Sequence, residues 1–143
     1  MGRLEDRFAV ITGGAGGIGR AIAEAYLVEG AEVLIADLNA KLAGQTAKEL
    51  QRFGKVHAFA CDVTKLNDVQ ALSDEALRVL GKVNVLINNA GLSGRGLISE
   101  IEEDTIDALL NVNLKGVIIC AKVFAPILKD SRDAIMINMS SQA

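Results

Sequence analysis

The glycines of one segment have the type and spacing needed to bind a phosphate group. The segment Thr12-Gly13-Gly14-Ala15-Gly16-Gly17-Ile18-Gly19 follows the apolar run at residues 8–11. In a strand, glycine turn and helix, backbone N–H groups and the positive helix end face an anion, and the glycines let the backbone approach a pyrophosphate. A plain turn explains many glycine runs, but here an amphipathic helix and a second strand follow on schedule. The segment therefore predicts a dinucleotide-binding loop.

Asp37 directly follows the second apolar run, residues 33–36. An acid at this position can accept hydrogen bonds from the ribose 2′-OH of the dinucleotide, and it would repel a 2′-phosphate. Between Gly13 and Asp37 the chain has one arginine, Arg20, and that arginine falls on the predicted helix. This pattern favours NAD over NADP. The alternative is an ordinary exposed acid that caps a helix.

Short apolar runs alternate with amphipathic stretches along the 143 residues, a length that suits one domain. Strands that are apolar throughout are buried on both faces, and with helices between them they predict a parallel sheet in an α/β, Rossmann-type, doubly wound fold. Right-handed crossovers give the order 3-2-1, with the fourth strand on the other side of the first. The strands are predicted at residues 8–11, 33–36, 56–60, 83–87 and 134–139.

Four helices are predicted between these strands. The first has Ile18, Ala21, Ile22 and Ala25 at helical spacing and stops at Gly30, and the second spans residues 40–53 with Leu42, Leu50 and Phe53 among its apolar positions. Thr64 is the predicted N-cap of the third helix. The fourth runs from about residue 102 to 129, with Pro126 near its C-terminal end, because an interior proline costs about 3 kcal/mol. On its apolar stripe Asn113 lies between Leu110 and Val117, so we expect this amide to be buried and hydrogen-bonded.

The chain resembles the short-chain dehydrogenases/reductases. Thr12-Gly13-x-x-x-Gly17-x-Gly19 matches the glycine pattern of that family, and Asp62-Val63 looks like its adenine-contacting pair. Asn88-Asn89-Ala90-Gly91 matches its Asn-Asn-Ala-Gly signature, Asn113 its helix asparagine, and Ser140-Ser141 its serine site. Five motifs in the correct order over the whole chain make this resemblance specific.

The resemblance implies an NAD-dependent oxidoreductase that transfers a hydride between the nicotinamide and an alcohol or carbonyl substrate. It implies catalytic roles for Asn113, which holds a water in the proton relay, and for Ser141, with Ser140 as the alternative. It also implies a homo-oligomer, a dimer or tetramer. The implied cofactor-binding residues are Thr12, Gly13, Gly17, Ile18, Gly19, Asp37, Leu38, Asp62, Val63, Asn89, Ala90 and Gly91.

The general acid/base of the family, a tyrosine in a Tyr-x-x-x-Lys helix beyond the serine, has no counterpart in these 143 residues. The single tyrosine, Tyr26, falls on the first helix in the wrong motif. We therefore expect residues 1–143 to be an incomplete NAD-binding Rossmann domain, truncated after the fifth strand and inactive alone, with that apolar strand on an open edge prone to aggregation. The alternative is a stand-alone dinucleotide-binding module without catalysis.

Composition disfavours several other functions. The net charge of −3 gives no basic face for nucleic acid or an anionic membrane, and lysines such as Lys115 and Lys122 interrupt the most apolar stretch, so no membrane span is expected. His57 is the only histidine, which excludes a histidine metal cluster or a Ser-His-Asp triad within the chain, and no metal site is predicted. Cys61 and Cys120 lack metal-ligand spacing, and they are expected to be buried thiols of a cytoplasmic protein.

Overall fold

A computed structural model describes residues 2–141 and contains the predicted parallel sheet. Five strands lie in the order β3-β2-β1-β4-β5, and every neighbouring pair is parallel. This confirms the α/β, doubly wound class and the order expected from right-handed crossovers. The strands are β1 (Phe8–Thr12), β2 (Glu32–Asp37), β3 (Val56–Ala60), β4 (Val85–Asn88) and β5 (Ile135–Asn138).

Helices connect the strands and cover both faces of the sheet. They are α1 (Gly17–Val28), α2 (Ala40–Leu50), α3 (Leu66–Leu80), α4 (Glu103–Leu110) and α5 (Val117–Lys129), with a short 3-10 turn at Ile98–Glu100. The helix expected over residues 102–129 is continuous, but its middle, Asn111–Gly116, is a π-helix. Pro126 lies in the last turn of α5, as predicted.

Two apolar clusters form the core, one on each face of the sheet. Alternate residues of a strand point to opposite faces, so Val10 of β1 joins Leu34, Leu86 and Phe124 in one cluster. Ile11 joins the other cluster, whose large members include Val33, Ile35, Leu27 and Leu50. The uninterrupted apolar character of β1 and β2 thus follows from burial on both faces.

Three boundaries differ from the prediction, and side-chain hydrogen bonds explain two of them. The N-cap of α3 is Lys65 and not Thr64, because the N–H and the hydroxyl of Thr64 both donate to Asp62 Oδ1, at 3.0 and 2.7 Å. β4 begins at Val85 and not at residue 83, since Asn84 uses its side chain to bind Phe8 N–H and the Asp6 carbonyl. α2 ends at Leu50, so that Phe53 lies outside it.

The buried face of α1 differs from the predicted stripe. Ile18 is 64% exposed, and the buried positions are Gly19, Ala23 and Leu27. Small residues face the sheet because the helix packs closely against it, which is the role of the last glycine in such loops. The periodicity therefore predicted the helix correctly but assigned its inner face wrongly.

The far edge of the sheet is open, as expected. Among residues 2–141, β5 has no neighbour on its outer side, and Ile135 and Ile137 are 45% and 36% exposed. The helical stretch Glu103–Lys129 is, by length and composition alone, long and apolar enough to cross a membrane, with a mean hydropathy of 1.6 over its most apolar window. The expectation that lysines exclude any such stretch was therefore wrong. One face of α5 packs in the core through Cys120, Phe124 and Leu128.

Candidate functional site

The glycine loop between β1 and α1 has no room for side chains at several positions. Gly13 has φ +63°, and a Cβ there would lie 2.9 Å from the Ala90 Cα. A Cβ on Gly14 would lie 2.7 Å from Ile35, and one on Gly19 would overlap the Gly13 carbonyl. Gly17 has open space around it but φ +52°, a conformation that favours glycine. Glycine is thus required here for packing and for backbone conformation.

Thr12 joins the ends of β1 and β4. Its Oγ1 accepts hydrogen bonds from the N–H groups of Asn89 and Ala90, at 3.1 and 3.0 Å. Asn89 Nδ2 donates in return to the carbonyls of Thr12 and Gly13, both at 3.1 Å. Since Thr12 is 1% exposed, its contribution is to hold the glycine loop against the segment that follows β4.

Asp37 ends β2 beside the glycine loop. Its Oδ2 accepts from Ala15 N–H and its Oδ1 from Asn39 N–H, each at 3.1 Å. Asn39 in turn caps α2 by accepting from Leu42 N–H at 3.0 Å. The carboxylate is therefore fixed in position at the carboxyl end of the strand. It does not cap a helix itself, which argues against the alternative interpretation of this acid.

Asp62 follows β3 and forms a turn with Thr64. The hydrogen bond from the Thr64 hydroxyl, with further contributions from Thr64 N–H and Lys65, lowers the pKa of Asp62 below its usual value, against the opposing effect of desolvation. Lys65 Nζ lies 3.4 Å from Asp62 Oδ2. The carboxylate is thus ionised at neutral pH and held in one orientation.

Two cavities adjoin at the carboxyl ends of the strands and share Ala90, Gly91 and Leu92. The first has a volume of about 250 Å³ and is lined by Gly13, Asp37, Leu38, Cys61, Asp62, Val63, Val112 and the shared residues. The second, of about 620 Å³, is lined by Ile18, Asn89, Ser93, Gly94, Leu109, Asn113, Val117, Met139, Ser140, Ser141 and the shared residues. Thr12, Gly17 and Gly19 line neither of them.

The two cavities together form one cleft, and most of the residues predicted for the site line it. Those predicted to contact the adenosine part lie in the first cavity, and the candidate catalytic residues in the second. A crevice outside the carboxyl ends of the strands is where ligands bind in open α/β sheets. The roles of the individual residues stay predictions.

Asn113 lies in the π-helix and is exposed, which contradicts the prediction of a buried amide. Its Oδ1 accepts from Leu92 N–H at 2.7 Å and its Nδ2 donates to the Leu92 carbonyl at 2.9 Å. The apolar stripe misled because this part of it is not buried, since Ile106 and Leu110 are themselves 40% and 54% exposed. The prediction of a hydrogen-bonded amide holds, and the bonds tie the helix to the segment after Gly91.

The sequence motifs did not predict Leu92, Leu109 and Met139, which complete the wall of the second cavity. Ser93 and Gly94, in the glycine- and serine-containing loop after Gly91, also line it. Asn88 and Asn138 pair across β4 and β5, with Asn88 Nδ2 donating to Asn138 Oδ1 at 2.8 Å. This pair could have been predicted from the parallel pairing of β4 with β5, which places Asn88 opposite Asn138.

The described residues, 2–141, contain no group of three or more His, Cys, Asp or Glu side chains that could hold a metal ion. Cys61 and Cys120 are both buried. Burial raises the pKa of Cys61 to about 12 and that of Cys120 to about 11, with the nearby Cys120 as the next contribution for Cys61. Neither thiol is a nucleophile at neutral pH in this environment.

A family model described as short chain dehydrogenase matches residues 7–143. The chain belongs to the short chain dehydrogenase family. The match covers every motif that suggested the resemblance, and the sheet order and the cleft agree with it.

The relatives that this chain matches are longer than the chain itself. The oxidoreductase YxbG of Bacillus subtilis is 37% identical over 145 residues, covering 100% of this chain and 53% of YxbG. The D-threitol dehydrogenase of Mycolicibacterium smegmatis is 34% identical, with 99% and 55% covered. A crystal structure of a short chain dehydrogenase/reductase from Burkholderia phymatum in complex with NAD has a TM-score of 0.83 and 36% identity, with 90% and 46% covered. The chain thus spans about half the length of the relatives it matches.

Proposed function

We propose that this chain is the cofactor-binding part of an NAD-dependent oxidoreductase that interconverts an alcohol and a carbonyl compound. The observation that carries the proposal is the glycine loop, packed so closely against Ala90 and Ile35 that side chains are excluded, with the Asp37 carboxylate bonded to its Ala15 N–H. The solved relative from Burkholderia phymatum holds NAD, which supports the same class of cofactor here.

The residues of the cleft fit a dinucleotide. The loop borders the cleft at Gly13, where backbone without a side chain suits the close approach of a pyrophosphate. Asp37 and Leu38, with Asp62 and Val63, line the cavity proposed for the adenosine part. NAD, when bound, supplies the hydride acceptor for alcohol oxidation, and its reduced form the hydride donor for carbonyl reduction. The protein supplies binding, orientation and exclusion of water.

The choice of NAD over NADP rests on Asp37. Its two oxygens are held by Ala15 and Asn39, so the negative charge cannot move away from a ligand at the end of β2 without breaking these bonds. A 2′-phosphate there would lie close to the Asp37 carboxylate, and two negative groups at short range repel each other. A ribose 2′-OH would instead donate a hydrogen bond to the carboxylate.

The substrate is proposed to bind in the second cavity, next to Ser140 and Ser141. In this proposal Ser141, or Ser140 as the alternative, donates a hydrogen bond to the substrate oxygen, and Asn113 contributes to the proton path. Tyr26 cannot be the general acid/base because it packs against the core cluster that contains Leu27. Burial also raises its pKa above the usual 10.0. We therefore propose that turnover needs a tyrosine outside these 143 residues.

The proposed enzyme acts as a homo-oligomer, a dimer or tetramer, in the cytoplasm. The observation that supports the oligomer is the apolar surface of the long helix. Four of its side chains are 40–57% exposed, namely Ile106, Leu110, Leu114 and Ile118. Sedimentation of the full-length protein is expected to give a dimer or larger species, and a monomer at micromolar concentration would contradict this part.

The test of cofactor choice compares Asp37→Ser with the unchanged chain. Calorimetric titration should show NAD bound more tightly than NADP by the unchanged chain. In Asp37→Ser, NAD affinity should fall about tenfold while NADP affinity rises. Asp104→Ser, at an exposed acid on α4, is the matched control and should leave both affinities unchanged. An unchanged chain that prefers NADP would contradict our interpretation of Asp37.

A turnover assay distinguishes the proposed enzyme from a stand-alone dinucleotide-binding module. This alternative is favoured because the single tyrosine of the chain, Tyr26, is unsuitable as a general acid/base. The full-length protein, NAD and a panel of secondary alcohols and polyols are expected to produce NADH absorbance, and residues 1–143 alone are not. Binding of NAD by a full-length protein that turns over none of the panel would favour the module.

A further inference from the structure

The tip of the glycine loop is held at both backbone polar groups of one residue, Ala15. Ala15 is 1% exposed. Its N–H donates to Asp37 at 3.1 Å, and its carbonyl accepts from the hydroxyl of Thr46 at 2.7 Å. Thr46 lies in the middle of α2, and it is also only 1% exposed. A buried hydroxyl and a buried carbonyl therefore satisfy each other at the loop tip.

The two contacts on Ala15 belong to one closed network. Asp37 accepts from Asn39 N–H, Asn39 accepts from Leu42 N–H as the N-cap of α2, and α2 carries Thr46 back to Ala15. The exposed ion pair between Arg20 and Glu49, at 2.6 Å, links α1 to α2 on the outside, but such pairs contribute little. The buried hydrogen bond from Thr46 is therefore the main polar link from α2 to the loop.

We infer that Thr46 is a positioning residue for the cofactor, which fixes the glycine loop in its binding conformation before the dinucleotide arrives. This inference rests on the proposed NAD binding. A loop already held in the bound conformation binds more tightly, because less freedom is lost on binding. Thr46 does not line either cavity of the cleft, so it acts through Ala15 and not by touching the ligand.

Thr46→Val removes the hydroxyl at nearly constant volume and leaves the Ala15 carbonyl without its partner. We expect NAD to bind the folded variant about tenfold more weakly, measured by calorimetric titration well below its melting temperature. Thr46→Ser keeps the hydroxyl and should restore the affinity to within about twofold. Thr46→Ala should repeat the loss, and it replaces the valine variant if that one does not fold.

Ser73→Ala is the matched control. Ser73 is also buried, and its hydroxyl also donates to a backbone carbonyl, Gln70, at 2.7 Å, but within α3. A purely structural role for Thr46 predicts that Ser73→Ala and Thr46→Val both lower the melting temperature and leave NAD affinity unchanged. The positioning role predicts that Thr46→Val alone weakens NAD.

Hydrogen exchange without any ligand separates failure of this inference from failure of the proposed function. The amides of residues 14–17 should exchange at least about tenfold faster in Thr46→Val than in the unchanged chain or in Ser73→Ala. If the unchanged chain did not bind NAD, the proposed function would fail, while faster exchange would still support the loop contact. Equal exchange together with equal NAD affinity in Thr46→Val would overturn the inference.

Discussion

The interior strands β1 and β2 and the edge strand β5 belong to one parallel sheet, but their surroundings differ. Ile11 of β1 and Ile35 of β2 are fully buried, whereas Ile135 of β5 is 45% exposed. The helices follow the same division, since α2 has several buried residues and α4 has none. The part of the cleft around Asp37 is thus enclosed by neighbouring elements, and the part around Ser141 borders an exposed apolar surface.

The comparison shows which part of the site is already fixed by contacts among the described residues. Around the glycine loop, Thr12, Asn89, Asp37 and Thr46 hold the backbone through hydrogen bonds at 2.7–3.1 Å. Around Ser140 and Ser141, apolar side chains such as Ile137 and Met139 stay partly exposed. Relatives of about twice this length have further chain with which to cover such a surface.

Matched truncations in the two regions should give the largest difference. Ile11→Ala removes a fully buried side chain, and we expect a loss of about 2–5 kcal/mol in the free energy of unfolding, because a cavity is left behind. Ile135→Ala removes a side chain that is already half in water, so the expected loss is about 1 kcal/mol or less. Urea unfolding followed by circular dichroism measures both.

Equal losses at the two positions would show that β5 is as well enclosed as β1, for example by self-association through its open edge. Repeating the unfolding at several protein concentrations distinguishes this case, because stability that comes from association rises with concentration.

The sheet order and the position of the cleft could be predicted because their signals are local. Each strand is a short apolar run, and the glycine loop and Asp37 follow directly on their strands. The inner face of α1 could not be predicted from periodicity, because Ile18 faces the cleft while Gly19 and Ala23 face the sheet. Hydrophobicity identifies the apolar residues, but it does not show whether they line a cleft or pack in the core.

The missed features depend on distant contacts. Asn113, in the π-helix, forms hydrogen bonds with Leu92, 21 residues earlier. Thr46 bonds to Ala15, 31 residues earlier, and nothing in the sequence of α2 distinguishes it from a surface threonine. The wrong prediction that Thr64 caps α3 had a different cause. The Thr64 hydroxyl donates to the nearby Asp62 carboxylate.

The two cysteines are expected to give an effect of intermediate size. They belong to one core cluster, which Cys61 joins from the end of β3 and Cys120 from α5. Both have raised pKa values, about 12 and about 11, against the usual 9.0. The native state therefore keeps protons that the unfolded chain loses above pH 9, so this contribution to stability is complete below pH 9 and is lost as the pH rises towards 12. At about pH 10 we expect a loss of about 1 kcal/mol per thiol.

The difference in unfolding free energy between about pH 8 and about pH 10 should be smaller in Cys61→Ala than in the unchanged chain.

Thiol labelling with mass spectrometry sharpens the comparison of the two regions. Both thiols should be protected in the native state, and Cys120 should be labelled first as urea is added, since α5 has the more exposed outer surface. Faster labelling of Cys61 would contradict this prediction, because it would show that packing is weaker at the end of β3 than around α5.

The smallest expected effect concerns Asp62 on the enclosed side of the cleft. Thr64→Val removes the hydroxyl that donates to Asp62 at 2.7 Å, so the pKa of Asp62 should rise towards its usual value. A lowered carboxyl pKa contributes stability that is present above the unfolded value and is lost as the pH falls through the folded value. The variant should therefore lose less stability on acidification, and Thr64→Ser should behave like the unchanged chain. Nuclear magnetic resonance titration of the Asp62 carboxyl measures the pKa directly, and an unchanged value in Thr64→Val would show that the backbone N–H and Lys65 are sufficient to keep it low.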